Sequence, residues 1–359
     1  MNIERWPEQL TATSAPIPSQ DVILSNLTSP LPHTDKKKRR TSMSGQRQPN
    51  ASTASRQGSP TRDVFNQLRL AKPAIICEPQ ATGSIPNTVL SLRQRLADGF
   101  GQSINPRSLE SRIRESDPAG AVEIPEYAYF DSGHMLDAAL GVMWNKLEEI
   151  RLQARHCDIY GKDENAWCLD VGPLSCNRQS QQIDADLLPM VRNNLTRINK
   201  KADYALAFSC RDPEVSSLYE RVSLGGHGYS ISQSTDTFNK RTVLFSGVEV
   251  KPDDGGKREA LAQLAIWLKP LDLADWLLPT IGYTVVGHDW YVYIAYRIGN
   301  EVHVIGPISS VLADTRSTYG ILKLRDLDSR VKQYALDVYW PWVRDKIIQP
   351  LSMHTLSED

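Results

Sequence analysis

Glu249 and Lys251 stand two residues apart at the end of an apolar, β-branched stretch, Thr242 to Val250, which runs TVLFSGVEV. Side chains alternate along a strand, so both charged groups leave one face while Val248 and Val250 point into the core. That pairing could serve phosphodiester hydrolysis, which needs a divalent cation, an activated water and charge neutralisation at phosphorus. Carboxylates suit Mg²⁺ or Mn²⁺, hard cations that prefer oxygen. A lysine beside the ion can orient or help deprotonate the water and stabilise developing charge. Asp203 is a second candidate: it opens the strand-like DYALAF after Asn199-Lys200-Lys201. An acid at the edge of an apolar strand costs free energy unless it is paired or metal-bound. Taken singly, these signals are weak. Glu-x-Lys is most often a surface strand or an ion pair, and a lone Asp203 most often caps a strand start.

The elements that must position these residues follow from periodicity. Residues 86–99 and 106–116 begin with Pro and read as short amphipathic helices. Leu136, Leu140, Met143, Leu147 and Ile150 form one apolar stripe, so 133–156 is the clearest helix. Gly161 is expected to end it, with Asp163-Glu164 starting the next. Residues 184–199 read as a helix kinked at Pro189. Strands are expected at 203–208, 242–250, 282–286, 290–297 and 301–305, the last two joined at Gly299-Asn300. A buried helix is expected at 257–268, and a closing one from about Leu327 to Ile348, interrupted near Pro341. The order helix, strand, strand, helix, strand indicates a mixed α/β fold around a central sheet.

Bulk composition narrows the class further. The 359 residues carry a formal net charge of −1. Residues 1–62 hold nine Lys/Arg against four Asp/Glu, so the remainder is acidic. A broad basic DNA-binding face is therefore not expected, and contact with nucleic acid needs a local patch, the tail or a metal ion. Sixteen Ser/Thr and seven Pro mark 1–62 as a disordered tail. Its run Lys36-Lys37-Lys38-Arg39-Arg40 reads either as a nuclear-import address or electrostatic arm, or as a solvated charge run. Five widely spaced cysteines without C-x-x-C argue against a disulfide framework. His156, Cys157, Cys168 and Cys176 lack the close pairs of a structural zinc site, so buried thiols are the better expectation. No apolar run approaches the length of a membrane span, and MNIERWPEQL lacks the apolar core of a signal peptide. The expectation is a soluble, intracellular and nuclear protein without membrane contact; sequence leaves its oligomeric state open.

Three segments carry a resemblance: Lys201-Ala202-Asp203-Tyr204-Ala205-Leu206, Phe245-Ser246-Gly247-Val248-Glu249-Val250-Lys251 and Ala262-Gln263-Leu264-Ala265-Ile266-Trp267. Glu164-Asn165-Ala166-Trp167 adds a fainter match. Together they resemble the PD-(D/E)XK nuclease superfamily, in particular its fungal nuclease-like branch, over roughly residues 120–345. The resemblance implies a restriction-endonuclease-like core: a helix, a three-stranded meander, a second helix and a further strand. It implies Asp203 and Glu249 as metal ligands, Lys251 as the catalytic cation, and Gln263 as a residue positioning water or substrate. Glu164 corresponds to the acid on the first core helix, a role for which Glu148 and Glu149 compete. Gln263 lies opposite the Leu261, Leu264, Ala265 and Leu268 stripe; its simpler reading is a structural polar residue.

Two features depart from a minimal core. Residues 210–240 read as an insertion over the site, whose loop Gly225-Gly226-His227-Gly228-Tyr229-Ser230 is either a turn or a phosphate contact. Gly247 in a strand marks a bulge or a close approach. The expected organisation is a tail at 1–62, a helical extension at 63–119 and the nuclease-like domain at 120–350. Its expected partner is nucleic acid, DNA before RNA. The rival reading keeps the fold without the chemistry, as a nucleic-acid- or protein-binding module. Serine or cysteine hydrolysis lacks support, since there is no G-x-S-x-G. Trp290, Tyr291 and Tyr293 are candidates for base stacking, though strand aromatics more often belong to the core.

Overall fold

The computed structural model describes residues 60–171, 177–182, 188–191, 196–197, 201–225, 230–234, 236–237, 239–268 and 278–350. The Lys36–Arg40 run, Cys176, residues 226–229 of the glycine loop and most of the expected tail lie outside them. Helix α1 (Pro60–Arg69) starts on proline and leads to β1 (Ala74–Glu78). In α2 (Asn87–Ala97), Val89, Leu92 and Leu96 recur at helical spacing and are buried. The long α3 (Asp137–Ile159) buries Leu140, Leu147, Ile150, Ala154 and Cys157. It ends where Gly161 takes φ +55°, a left-handed conformation suited to glycine. Asp163 then caps α4 (Glu164–Asp170) by accepting from Ala166 N at 3.0 Å.

Next come β2 (Asn177–Gln182), β3 (Lys201–Phe208), α5 (Pro213–Leu224), β4 (Val243–Lys251) and α6 (Lys257–Trp267). The order closes with β5 (Thr280–Val286), β6 (Asp289–Ile298), β7 (Glu301–Ile305) and α7 (Thr318–Tyr334). The main sheet runs β1-β7-β6-β5-β4-β3-β2, with Ala313–Asp314 also pairing with β6. β2, β3 and β4 form an antiparallel meander, whereas β4–β5 and β1–β7 are parallel. A parallel pair cannot be closed by a tight turn, so α6 carries the chain from β4 to β5. One face, with Val248, Val250 and Tyr204, packs against α2, α3, α4, α5 and α7. The other is covered by α6 and α1, through residues such as Leu264, Trp267 and Leu68. The result is a mixed sheet flanked by helices.

Three expectations need correction. Within 184–199, Met190–Val191 and Thr196–Arg197 pair as short antiparallel strands instead of a helix, and Lys72 N donates to Met190 O at 3.0 Å. The last helix begins at Thr318, not near Leu327, because Ser317 caps it by accepting from Gly320 N at 3.0 Å. It continues to Ile348 through π-helical stretches at Ala335–Tyr339 and Arg344–Ile348, with Pro341 in the turn between them. Proline is tolerated there because the π geometry breaks the regular hydrogen-bond ladder. The 210–240 segment does not simply arch over the site. Val215, Leu218 and Val222 of α5 enter the core on the Val248 face, and Gln233 donates to Trp267 O at 3.0 Å.

Gly247 marks a close approach, and a register irregularity falls two residues before it, at Phe245. The β3–β4 register shifts between Leu206 and Ala207, next to the Leu206–Ser246 pair. Gly247 also pairs in register with Gly282 on β5, giving α6 a flat seat. A Cβ on Gly247 would lie 2.5 Å from the Trp267 ring, and one on Gly282 would lie 2.6 Å from Leu268. No described helix is long and apolar enough to cross a membrane. Gly247→Ala should therefore push α6 off the sheet and lower stability by about 1–3 kcal/mol, as overpacking does. Urea unfolding followed by far-UV circular dichroism measures this, and an unchanged midpoint would mean the seat has slack.

Candidate metal centre

The β3–β4 ladder pairs Tyr204 with Val248, which puts Asp203 beside Glu249 on the face opposite the valines. Asp203 does more than start a strand. Its Oδ2 accepts from Val250 N at 2.7 Å, taking an amide beyond the last paired residues of the ladder. That bond fixes one carboxylate against the strand that carries the other. Glu164, in the first turn of α4, completes the group. One ligand oxygen each from Glu164, Asp203 and Glu249 lie within 4.8 Å of one another. Lys251 Nζ donates to Glu164 Oε2 at 2.6 Å and to Glu249 Oε1 at 2.9 Å.

Burial differs along the cluster. Glu249 is 1% exposed and Lys251 7%, whereas the Glu164 side chain retains about a third of its accessible surface (37%) and forms the open rim. Glu249 Oε2 is buried with no hydrogen-bond partner among the described residues. A buried carboxylate oxygen left unpaired is costly. Three acids around one lysine also leave the cluster short of positive charge. Burial, then the Asp203 charge, push the Glu249 carboxyl up to about 8 against the pull of Lys251. Burial pushes Asp203 up to about 6, despite the Val250 amide, with the Glu164 charge adding to the rise. Desolvation pulls Lys251 down, but the Glu249 charge and the two acidic hydrogen bonds outweigh it, so the ammonium is held above its ordinary range. An orphaned oxygen, hard-oxygen donors and a charge deficit fit a divalent cation.

The structure brings Asp203, Glu249, Lys251 and Glu164 together. It separates Glu148 and Glu149: Glu148 binds Arg151 and Ser116, and Glu149 pairs with Lys146. Gln263 lies on α6, which covers the Gly247–Gly282 seat, and its Oε1 is buried without a partner among the described residues. Trp290 and Tyr293 are buried, and Tyr291 lies beneath the Lys257 ammonium, 3.4 Å from ring centroid to Nζ. Burial pushes the Cys157 thiol up to about 11 and Cys168 to about 12, which disfavours the thiolates that zinc requires. Sequence reasoning missed the Val250 amide, which only the strand register could reveal. It also missed Thr284, fully buried opposite Glu249 on β5; its signal was a lone polar residue inside the apolar strand TIGYTVV.

This buried acid–lysine cluster at the junction of a meander and a crossover helix is a nuclease-like arrangement. A model of the PD-(D/E)XK nuclease superfamily matches residues 115–340, and the chain belongs to that family. Neither a curated protein nor a solved structure matches it.

In the metal-free protein, Glu249 holds its proton more tightly folded than unfolded, where a carboxyl titrates near 4.5. Folding stability is therefore fullest below that value and falls as pH rises towards about 8. Thermal melts in EDTA across pH 5 to 8 should show the decline, and Glu249→Gln should flatten it. A wild-type curve that instead rises through this window would contradict the burial of an uncompensated carboxylate.

Proposed function

We propose that this chain is a metal-dependent nuclease that hydrolyses phosphodiester bonds, DNA before RNA, with Mg²⁺ or Mn²⁺ at the acidic cluster. The observation that carries the reading is the buried Oε2 of Glu249, without a hydrogen-bond partner among the described residues, beside two further carboxylates and one lysine. Asp203 and Glu249 would hold the ion, with Glu164 as a third ligand from the open side. Such a cation, when bound, polarises a phosphoryl oxygen and acidifies water.

The chain's own residues supply the rest. The Val250 N–H fixes the Asp203 carboxylate by hydrogen bonding to Oδ2. The strand fixes Glu249 and Lys251 on one face, with Val248 and Val250 anchored in the core behind them. Lys251 stays protonated among the acids, so its first role is that of a cation: it orients the attacking water and neutralises charge at phosphorus. Gln263 offers a buried amide oxygen that can fix a water or a substrate group. Placement in the fungal nuclease-like branch rests on the motifs at 201–206, 245–251 and 262–267. Nuclear import would fall to Lys36–Arg40.

The rival, an inactive module that binds nucleic acid or protein, draws on the acidic charge of residues 63–359 and on the ion pairs that already engage Lys251. Cleavage assays separate the two. Single-stranded, duplex and branched DNA and RNA are incubated with Mg²⁺ or Mn²⁺, with EDTA as control. Cation-dependent cutting should fall about 10²–10⁴-fold in Lys251→Ala and disappear in Asp203→Asn and Glu249→Gln. Activity that persists in Lys251→Ala, or that no substrate elicits, would remove the mechanism.

A further inference from the structure

A second charged feature is built partly from residues outside the family match, which begins at residue 115. Helix α1 and strand β1, with the first turn of α6, enclose a cavity of about 430 Å³. Arg62, Arg69, Lys257 and Arg258 line it, against a single carboxylate, Glu78. Among the described residues none of the four forms an ion pair. Elsewhere Arg95, Arg107, Arg114, Arg151, Arg316 and Arg330 each face an acid. In a domain that is acidic overall, four unpaired cations around one opening are a local positive site of the kind a polyanion requires. Two of them are also held in place: Arg258 lies over the Phe65 ring at 5.0 Å and Lys257 over Tyr291 at 3.4 Å.

The register locates this site relative to the carboxylates. Glu249 pairs with Thr284 on β5, and Thr284 with Tyr291 on β6. Tyr291 therefore lies two strands from Glu249 on the same face, about 10 Å at the ~4.8 Å spacing of paired strands. The Lys257 ammonium stands over that ring, so it lies on the carboxylate face of the sheet. The chain itself agrees with this proximity, since only five residues separate Lys251 from Lys257.

We propose that the pocket between α1 and the first turn of α6 grips the phosphates of a nucleic-acid strand whose neighbouring phosphodiester lies at the carboxylate cluster. The site takes backbone phosphates without reading base sequence, because cations suited to phosphate oxygens dominate its charged groups, four against the one carboxylate of Glu78. It supplies the local basic patch that the overall charge withholds, and it makes α1 part of the substrate-binding surface. The inference rests on the nuclease reading for the identity of the ligand, but its test does not require cleavage.

The test uses the full chain in EDTA, where nothing is cut, and a fluorescein-labelled oligodeoxythymidine read by anisotropy. Arg62→Ala/Arg69→Ala/Arg258→Ala should weaken binding at least about tenfold and lower the salt slope of log K by about 2, at about 0.7 per lost phosphate contact on a single strand. The matching triple Arg→Lys variant should retain most of the affinity, which separates lost charge from lost fold. Inorganic phosphate should compete only weakly and polyglutamate less well than unlabelled oligonucleotide. Unchanged affinity and slope in the alanine variant would overturn the proposal, as would polyglutamate competing equally or a wild-type protein that binds no oligonucleotide. Charge-dependent binding without cleavage by any substrate would sink the nuclease reading alone. Cleavage whose KM ignores the triple alanine change would sink this one alone.

Discussion

Three carboxylates converge on a site that is buried at Glu249 and open at Glu164, and the Lys251 ammonium lies between these two. Burial of any one of these groups alone would be strongly unfavourable, and together the acids outnumber the base. Lys251 binds Glu164 and Glu249 at once, while Asp203 is satisfied in part by a backbone amide. The arrangement is thereby held together, but with all three acids ionised it is left two positive charges short. Burial first, and then this shortage, push the Glu249 and Asp203 carboxyls towards their neutral forms. The shortage also explains how one cluster can serve as a structural joint between β3, β4 and α4 and as a receptive cation site. A site fully neutralised by its own lysines would be a better joint and a poorer ligand.

The sheet makes that tension tolerable by dividing labour between its faces. On one side Val248 and Val250 belong to the large cluster that includes Trp167, Tyr204 and Trp290. On the other, Gly247 and Gly282 remove two side chains so that Trp267, Leu264 and Leu268 can sit directly on the strands. The alternation that gives β4 a charged pair also gives it an anchor, and the glycine seat determines how closely α6 and Gln263 approach. Large side chains on one face and none at the seat of the other are consistent with a strand held rigid where it carries chemistry.

Much of this was legible in the sequence, for reasons that differ by element. The strand of Glu249 and Lys251 was readable because period-two alternation and β-branching coincide in Val243–Lys251. The start of α4 was readable because Asp163 is a capping residue followed by an acid and an apolar pair. By contrast β2, with the sequence NRQSQQ, has no apolar face and is specified by its partner β3. The helix expected at 184–199 failed because isolated apolar residues mimicked a helical period, while Met190–Val191 and Thr196–Arg197 found strand partners. Choosing Glu164 over Glu148 and Glu149 needed tertiary information. All three are acids on helices, and only the positions of Arg151, Lys146 and Lys251 show which carboxylate is left facing the site.

Strand β1 shows how far the fold extends beyond the part that family resemblance recognises. Ala74–Glu78 pairs in parallel with β7 through five residues, from Ala74–Glu301 to Glu78–Ile305, and Gly306 N donates to Glu78 O at 3.0 Å. Without it β7 would be an open edge carrying Val302, Val304 and Ile305, all buried in the folded protein. An exposed apolar edge of that kind invites pairing with other chains. Helix α1 then packs on α6, burying Leu68 with Leu264 and Trp267 in the second core cluster. The residues before 115 thus close the sheet and complete the core beneath α6, the helix on which both Gln263 and the glycine seat depend. Fold and candidate site meet there, because the helix that α1 supports begins only six residues after Lys251.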